Sequence, residues 1–574
     1  MAMAAEKSTC NRLLVAAIDF GTTYSGYAFS FSNKPNDIHT NPNWVAGSQQ
    51  LISLKCPSTV LLKPDKTFHS FGFEAENKYM DLADDSKHHS WYLFRRFKMT
   101  LYETTNLKLD TPIEDISGKN MPAIAIFAHS ILFLKNHLWK TLQSRVFKIL
   151  ETDIQYVITV PAIWDPKAKQ FMRRAAYKAG IPNEQISFAL EPEAASLWCQ
   201  TETDDKLSSL SEPLTKYMVV DLGGGTADIT VHQKMDDGSL KEIQKASGGA
   251  WGGNEVDKSY LQLLENIVQA ATMNKFQREE MNDYFDLLRE FETKKRSITR
   301  NNEGKITFKL PLSLCKLAEL DGIKIATKIE RSHDKKKYSW IGDKLRIEKI
   351  AAKALFAPPI EKLLNHVKNM FEQPEIQDVD AILLVGGFSE CDLVTEAFEQ
   401  SFPDKRLLIP KEAGLAVLKG AVRFGHHLGA FKTRIARFTI GRQICPVFEK
   451  HHDPARMIIF DGVKHCKQIF HKYIEIGEEI PVQMMHEEKS MAVHANQENI
   501  GIKFFSSTNR HVTYTTEPGC QKLGKFKVDL PKSKSISDKE FTLYLYFGET
   551  EIHVRVKMSK TNEEFEKWID CFSK

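Results

Sequence analysis

An α/β module followed by a smaller, mostly β module is the fold class that this sequence predicts, and three observations carry it. From about residue 12 to 430, short apolar strand-like runs alternate with amphipathic helical segments, the pattern of a sheet covered by helices. Beyond residue 435, short β-rich runs follow one another between Gly, Pro, Asp and His clusters. The chain has 574 residues, 42% hydrophobic and 26% charged, enough for a sizeable core. At roughly 100–200 residues per domain this corresponds to three or four domain-sized units. That balance excludes a wholly disordered or collagen-like chain.

The elements follow in order. Leu13–Ile18 is a continuous apolar run ending at Asp19, and Tyr24–Phe31 resumes with β-favouring residues after a Gly-Thr-Thr turn. Ile124–Leu134 reads as an apolar helix interrupted by His129 and Ser130 and closed by Lys135. It is too short for a membrane span, which needs about 20 apolar residues. Tyr156–Val160 is a buried-strand run stopped by Pro161, and Pro166–Ala179 behind it is helical, with Gly180 as its C-cap. Tyr217–Val220 and Ala381–Val385 repeat the buried-strand pattern, and Val256–Arg300 and Leu345–Glu372 carry helical periodicity. Thr201–Leu214 and Glu330–Trp340 are polar enough to be surface insertions. The α/β module is placed at 12–430 and the β-rich module at 435–574, joined through Gly425–Arg437. In the second module the β runs are Phe438–Ile440, Met457–Ile459, Tyr473–Ile476, Ile500–Phe505, Phe541–Phe547 and Ile552–Val556, and Asn562–Cys571 reads as a closing helix.

Composition limits the function classes. Lys and Arg number 78 against 74 Asp and Glu, a net charge of +4 that gives no global field for nucleic acid. Nine cysteines with no CxxC pair argue against a disulfide framework or a zinc ribbon and point to a reducing compartment. No basic start followed by an apolar run marks a secretory signal, so the expected location is cytoplasmic. The pairs His88-His89, His426-His427 and His451-His452 lack partners at zinc-ligand spacing.

One feature rises above the rest. Ile18-Asp19-Phe20-Gly21-Thr22-Thr23-Tyr24-Ser25 is a strand, an Asp, a Gly-Thr turn and a second strand. Val220-Asp221-Leu222-Gly223-Gly224-Gly225-Thr226-Ala227-Asp228 repeats that plan about 200 residues later. Each copy sets a carboxylate at a strand's C-terminal end, then glycines that let backbone N–H groups approach an anion. Two facing turns can hold a polyphosphate, with Asp19 and Asp221 holding the water shell of a Mg²⁺, an ion that keeps several waters and takes one or two carboxylates. Either turn alone also fits a tight hairpin; the pair favours phosphate. Neither GxxxxGK[ST] nor GxGxxG occurs.

The two turns resemble the phosphate loops of the two-lobed actin-like ATPase fold, a ribonuclease H-like fold shared by actin, sugar kinases and the heat shock protein 70 superfamily. Val157-Ile158-Thr159-Val160-Pro161-Ala162 is similar to the chaperones' first connecting segment, and Ala189-Leu190-Glu191-Pro192-Glu193-Ala194-Ala195 to their "NEPTAAA" helix start. Gly252-Gly253 with Asp257 resembles the "GGxDFD" turn, and Leu384-Val385-Gly386-Gly387-Phe388-Ser389 the adenosine motif. These segments cover about 13–425 in the family's order. Phe97-Lys98-Met99, Trp164 and Phe388 resemble the divergent heat shock 70 kDa protein 12A/12B branch, whereas Glu475-Ile476-Gly477 and Ile480-Pro481 are a faint echo of the chaperone β-sandwich, with no helical lid after it.

The resemblance implies ATP or ADP with Mg²⁺ as cofactors and a role for each matching residue. Backbone at Gly21, Thr22, Thr23, Gly223, Gly224 and Gly225 wraps the phosphates. Asp19 and Asp221 organise the metal, with Asp228 nearby; Thr226 contacts the γ-phosphate region; Glu191 orients the metal's waters or the attacking water. Lys98 is similar to the family's catalytic lysine, with Arg95 and Arg96 as rival cations. Glu292 and Lys295 hold the ribose hydroxyls, Arg296 covers the adenine, and Gly386, Gly387 and Ser389 close over the base. Glu292 with Arg296 is equally an i,i+4 ion pair. The implied chemistry is slow phosphoryl transfer from ATP to water, with nucleotide state gating a protein client or adaptor. The alternatives are a nucleotide-held scaffold with little hydrolysis and, trailing, a small-molecule kinase. Gly425–Arg437 departs from the chaperones in carrying no apolar-acidic linker of the kind that couples their nucleotide state to peptide release.

Overall fold

Leu14–Phe20 and Tyr24–Phe31 form an antiparallel hairpin with Asp19 opposite Gly26; Lys216–Leu222 and Ala227–Lys234 form a second, with Asp221 opposite Asp228. Each hairpin is the centre of a sheet of the same plan. In the first, Ile154–Val160 lies parallel to Leu14–Phe20 and Ile186–Leu190 lies parallel to Ile154–Val160. In the second, Ala381–Val385 lies parallel to Lys216–Leu222 and Arg406–Leu408 parallel to Ala381–Val385. His39–Thr40 and Leu240–Gly249 extend the two hairpins antiparallel on the other side. Leu14–Phe20, Ile154–Val160 and Ala381–Val385 are buried at every position. Burial on both faces is why they read as unbroken apolar runs rather than alternating ones. This computed structural model describes residues 12–572 apart from 46–51, 146–147, 203–204, 302–303, 332–335, 461, 493–495, 534 and 570.

The crossover helix Pro166–Lys178 starts on Asp165, whose carboxylate accepts the Ala168 N–H at 2.7 Å. It stops at Gly180, at φ +78°, where the Ile181 N–H returns to the Ala176 carbonyl. Glu191–Cys199 leaves the last strand of the first sheet and Ala413–His426 the last parallel strand of the second. Where these helices cross, a Cβ on Gly420 would stand 1.7 Å from the Ala194 carbonyl oxygen, so glycine sets the approach of the two lobes.

Several segments differ from the sequence reading. Val256–Arg300 resolves into three helices, Asn254–Val268, Ala270–Glu279 and Met281–Arg296. Leu345–Glu372 begins inside a strand, Lys344–Glu348, before the helices Lys349–Ala354 and Ala357–Phe371. Thr201–Leu214 is not wholly a surface insertion: Leu207 and Leu210 are buried in a core with Tyr217 and Val219. Asn562–Cys571 does not form a helix. Glu564–Trp568 is a strand paired with His553–Met558, and its alternation turns Phe565 to the core.

The β-rich module packs two four-stranded sheets. One contains Thr439–Ile444, Ile469–Ile474, Asn499–Ser507 and Cys520–Asp529; the other Met484–Met491, Glu540–Phe547, His553–Met558 and Glu564–Trp568. Phe504, Phe526, Leu543, Leu545, Val554 and Val556 belong to one core between them. The joining segment is itself structured: Phe431–Ile435 lies parallel to Leu240–Gly249 and is followed in the same sheet by Glu479–Pro481. The second sheet therefore has seven strands and includes residues of both modules. No helix among the described residues is long and apolar enough to cross a membrane.

Candidate functional site

The two Asp-turns meet. A Cβ on Gly224 would stand 1.9 Å from Thr23 Oγ1, and one on Gly225 would stand 2.7 Å from Thr22 Oγ1 and 2.5 Å from Met99 Sδ. Only bare backbone allows this contact. The carbonyls of Gly223, Gly224 and Gly225 accept N–H groups of Gly253, Asn254 and Gly252, and Thr23 donates its hydroxyl to Asn254 Oδ1 at 3.2 Å. Among the described residues no acceptor takes the N–H of Thr22, Thr23, Gly224 or Gly225. Unused amides on two facing turns make a concave site for an anion.

Four carboxylates gather at the strand ends beneath the turns: Asp19, Glu191, Asp221 and Asp228, all buried. Thr159 donates to Asp19 Oδ1 at 2.9 Å and the Lys55 ammonium lies 2.6 Å from Oδ2. Burial pushes the Asp19 carboxyl up, but the charge and hydrogen bond of Lys55 outweigh it, and it sits below the usual carboxylate range. Asp228 accepts the Ile163 N–H at 2.8 Å and the Thr226 hydroxyl at 3.2 Å, yet burial keeps it raised. Glu191 opens its helix, where the dipole favours an anion. Burial still lifts it to about 7 against the Lys98 charge, with Asp228 and Asp19 adding to the rise. Asp221 is raised well above its usual range by burial, then by Glu191, Asp228 and Asp19; among the described residues no donor or cation contacts its carboxylate.

Lys98 is buried, with Nζ 2.7 Å from Glu191 Oε1 and 5.3 Å from the centre of the Trp164 ring. The rival cations are engaged elsewhere: Arg95 pairs with Glu76 at 3.2 Å and Arg96 with Asp257. Lys55 and Lys98 pair directly with Asp19 and Glu191, whereas among the described residues Asp221 and Asp228 meet no cation directly and burial pushes both toward the protonated form, a strain that a divalent cation would relieve. Among the described residues no group of three or more His, Cys, Asp or Glu is arranged to hold a metal ion directly. A Mg²⁺ here would therefore keep most of its waters.

At the end of the helix Met281–Arg296, Lys295 contacts both Asp257 at 2.6 Å and Glu292 at 2.7 Å, and Arg296 contacts Glu292 at 2.8 Å. The Lys295 and Arg296 charges outweigh burial and hold the Glu292 carboxyl low. The Arg296 guanidinium lies 5.9 Å from the Tyr24 ring centre and feels Glu390. The helix end, the first hairpin and the loop after Ala381–Val385 thus come together. Gly386 stands at φ +86° with room only for hydrogen beside Asp221: a Cβ would lie 2.4 Å from Asp221 Oδ1. Gly387 faces open space, and Ser389 is buried with its hydroxyl donated to the Gly386 carbonyl at 2.7 Å. Sequence reasoning missed Lys55, which lies in no recognisable motif.

A family model described as Hsp70 protein matches residues 97–434, more than half of the chain. The chain belongs to the heat shock protein 70 family. Mouse heat shock 70 kDa protein 12A is 33% identical over 97% of this chain and 91% of that protein, and human heat shock 70 kDa protein 12B is 32% identical over 98% and 91%. The pea chloroplast stromal 70 kDa heat shock-related protein is 27% identical, over 67% of this chain and 49% of its own length. The near full-length matches place this heat shock protein 70 chain with the 12A/12B branch, and the family's fold is the actin-like ATPase fold.

In this family member the β-rich module is tied to the α/β module by buried charges. Arg434 grips Glu193, two residues past Glu191, with two 2.7 Å contacts, and also donates to the Gly548 carbonyl. Arg437 donates to the carbonyls of Ala162 and Trp164 at 2.7 and 3.0 Å. Glu242 accepts the Ile435 N–H at 2.8 Å, and Arg173 pairs with Glu551 at 2.6 Å. A separate cavity of about 830 Å³ opens along this seam, lined by Arg173, Phe188, Arg423, His427, Arg434 and Trp568 and not by the four carboxylates.

Proposed function

We propose that the chain binds ATP between its two Asp-turns, hydrolyses it slowly, and signals the nucleotide state to a protein client or adaptor through its β-rich module. The observation that carries this reading is the pair of facing turns with unused N–H groups above a buried carboxylate cluster that is short of positive charge. Asp221, with Asp19, would hold Mg²⁺ through water. The ion would supply charge neutralisation on the phosphates. The chain's own residues do the rest. The Thr22, Thr23, Gly224 and Gly225 amides receive phosphate oxygens, and Lys98 brings a cation to the γ side. Glu191, poised near 7, takes the proton of the attacking water. Glu292, Lys295, Arg296, Gly386, Gly387 and Ser389 frame the nucleoside.

Coupling follows from the chain order: Glu191 meets Lys98 and Glu193 meets Arg434 on one helix start. A nucleotide that moves this start differently in its two states biases docking of the β-rich module. The cytoplasmic location expected from cysteine usage belongs to the same reading. The contrasting reading, a nucleotide-held scaffold with little hydrolysis, is favoured by the Lys98–Glu191 contact, which satisfies both groups within the chain.

Mg²⁺-ATP binding and single-turnover hydrolysis, with and without EDTA, test the proposal. Nucleotide binding with slow turnover that Lys98→Ala abolishes is the expected result. Binding with turnover that Lys98→Ala leaves unchanged, or with none at all, selects the scaffold. Absence of binding removes both.

A further inference from the structure

Asp19 and Asp221 occupy the same point of two equivalent hairpins, but the chain treats them differently. Both oxygens of Asp19 are engaged: Oδ1 by the Thr159 hydroxyl at 2.9 Å and Oδ2 by the Lys55 ammonium at 2.6 Å. Lys55 is fixed by a second bond, 2.7 Å to the carbonyl of Gly414, and its side chain is only 18% exposed. Lys55 therefore spans from the segment before Cys56–Pro57, in the first sheet, to the start of the helix Ala413–His426. Among the described residues no cation contacts Asp221 directly; Lys55 acts on it only at longer range. The duplicated plan thus carries one ammonium in direct contact with its first aspartate and none with its second.

We propose that Lys55 is a built-in cation of the nucleotide site: it supplies at Asp19 part of the positive charge that the polyphosphate needs, leaving Asp221 as the principal anchor for a divalent ion. This rests on the reading of the two turns as a nucleotide site and adds to it a specific dependence on metal. An ammonium held by an aspartate and a backbone carbonyl is already desolvated and positioned, so its attraction for an incoming phosphate is stronger than that of a mobile surface lysine. It also makes the site less dependent on Mg²⁺ than one in which both aspartates face only metal-bound water.

The test is calorimetric titration of the full chain with ADP, in saturating Mg²⁺ and in EDTA, reading the ratio of the two dissociation constants. In the parent protein EDTA weakens binding about tenfold; in Lys55→Gln it weakens binding by about a hundredfold or more, and Lys55→Arg stays near the parent ratio, as expected for a buried charge contact. Equal ratios for the parent and Lys55→Gln overturn the role of Lys55 while leaving the nucleotide site standing. Should Lys55→Gln fail to fold, the parent still decides: a loss beyond about a hundredfold in EDTA overturns the built-in cation. No ADP binding in either buffer overturns the nucleotide reading, and the Lys55 proposal with it.

Discussion

Glu242 gives a pH dependence to the seam between the two modules. It sits in the strand Leu240–Gly249, is buried, and accepts the N–H of Ile435 from the neighbouring strand Phe431–Ile435. Burial pushes its carboxyl up from 4.5 to about 7; the Ile435 N–H works against the rise, Glu193 adds to it, and Arg434 and Arg437 oppose it. When Phe431–Ile435 leaves the sheet, Glu242 meets water and returns to its ordinary value. Below pH 4.5 both forms hold the proton, so docking has its full stability. Between 4.5 and 7 the docked form keeps a proton that the undocked form has shed, and docking weakens steadily. Above 7 the loss is complete, about 3 kcal/mol by linkage.

Glu242→Gln keeps an acceptor for Ile435 and removes the titration. Amide hydrogen exchange over 431–437, corrected for intrinsic rates, reads docking directly. In the parent, protection falls from pH 5 to pH 8; in Glu242→Gln it holds, leaving the variant up to about a hundredfold better protected at pH 8. Identical pH profiles for the two proteins would refute the reasoning, because the buried acid would then not be coupled to docking.

Arg434→Ala leaves Glu193 buried without its direct ion-pair partner, at a cost of about 3–5 kcal/mol, and frees the β-rich module to give a larger radius of gyration in small-angle scattering. Gly224→Ala places a methyl where Thr23 Oγ1 stands at 1.9 Å; the turns separate and ADP affinity falls at least about tenfold while far-ultraviolet dichroism is unchanged. Asp221→Lys puts an ammonium where the metal's waters belong and abolishes Mg²⁺-dependent nucleotide binding, measured by the same titration. Single-turnover hydrolysis rises between pH 6 and 8 with a midpoint near the value of about 7 held by Glu191, and Glu191→Gln flattens that profile.

The features that the sequence determined by itself are those built from neighbouring residues. A strand, an Asp and a glycine turn are steric instructions within ten consecutive positions, so both Asp-turns were legible. So were the unbroken apolar strands at Ala381–Val385 and Ile154–Val160 and the cap at Gly180, where a left-handed conformation ends the helix. Periodicity failed where its span was short: Glu564–Trp568 has charged and aromatic residues compatible with helix or strand, and pairing with His553–Met558 decided it. Leu207 and Leu210 lie in a polar stretch, and only the core around Tyr217 explains their burial.

Partner choice among charges was decided by tertiary structure alone. Lys55 reaches Asp19 across 36 residues, Arg96 and Lys295 converge on Asp257 from opposite parts of the chain, and Arg434 reaches Glu193 across 241. A charged side chain's sequence neighbours say little about which distant carboxylate it will meet. Its energy depends on burial and distance, and these exist only once the two lobes and the β-rich module have packed. The sequence thus determined the two Asp-turns, and packing decided which cations meet the carboxylates beside them.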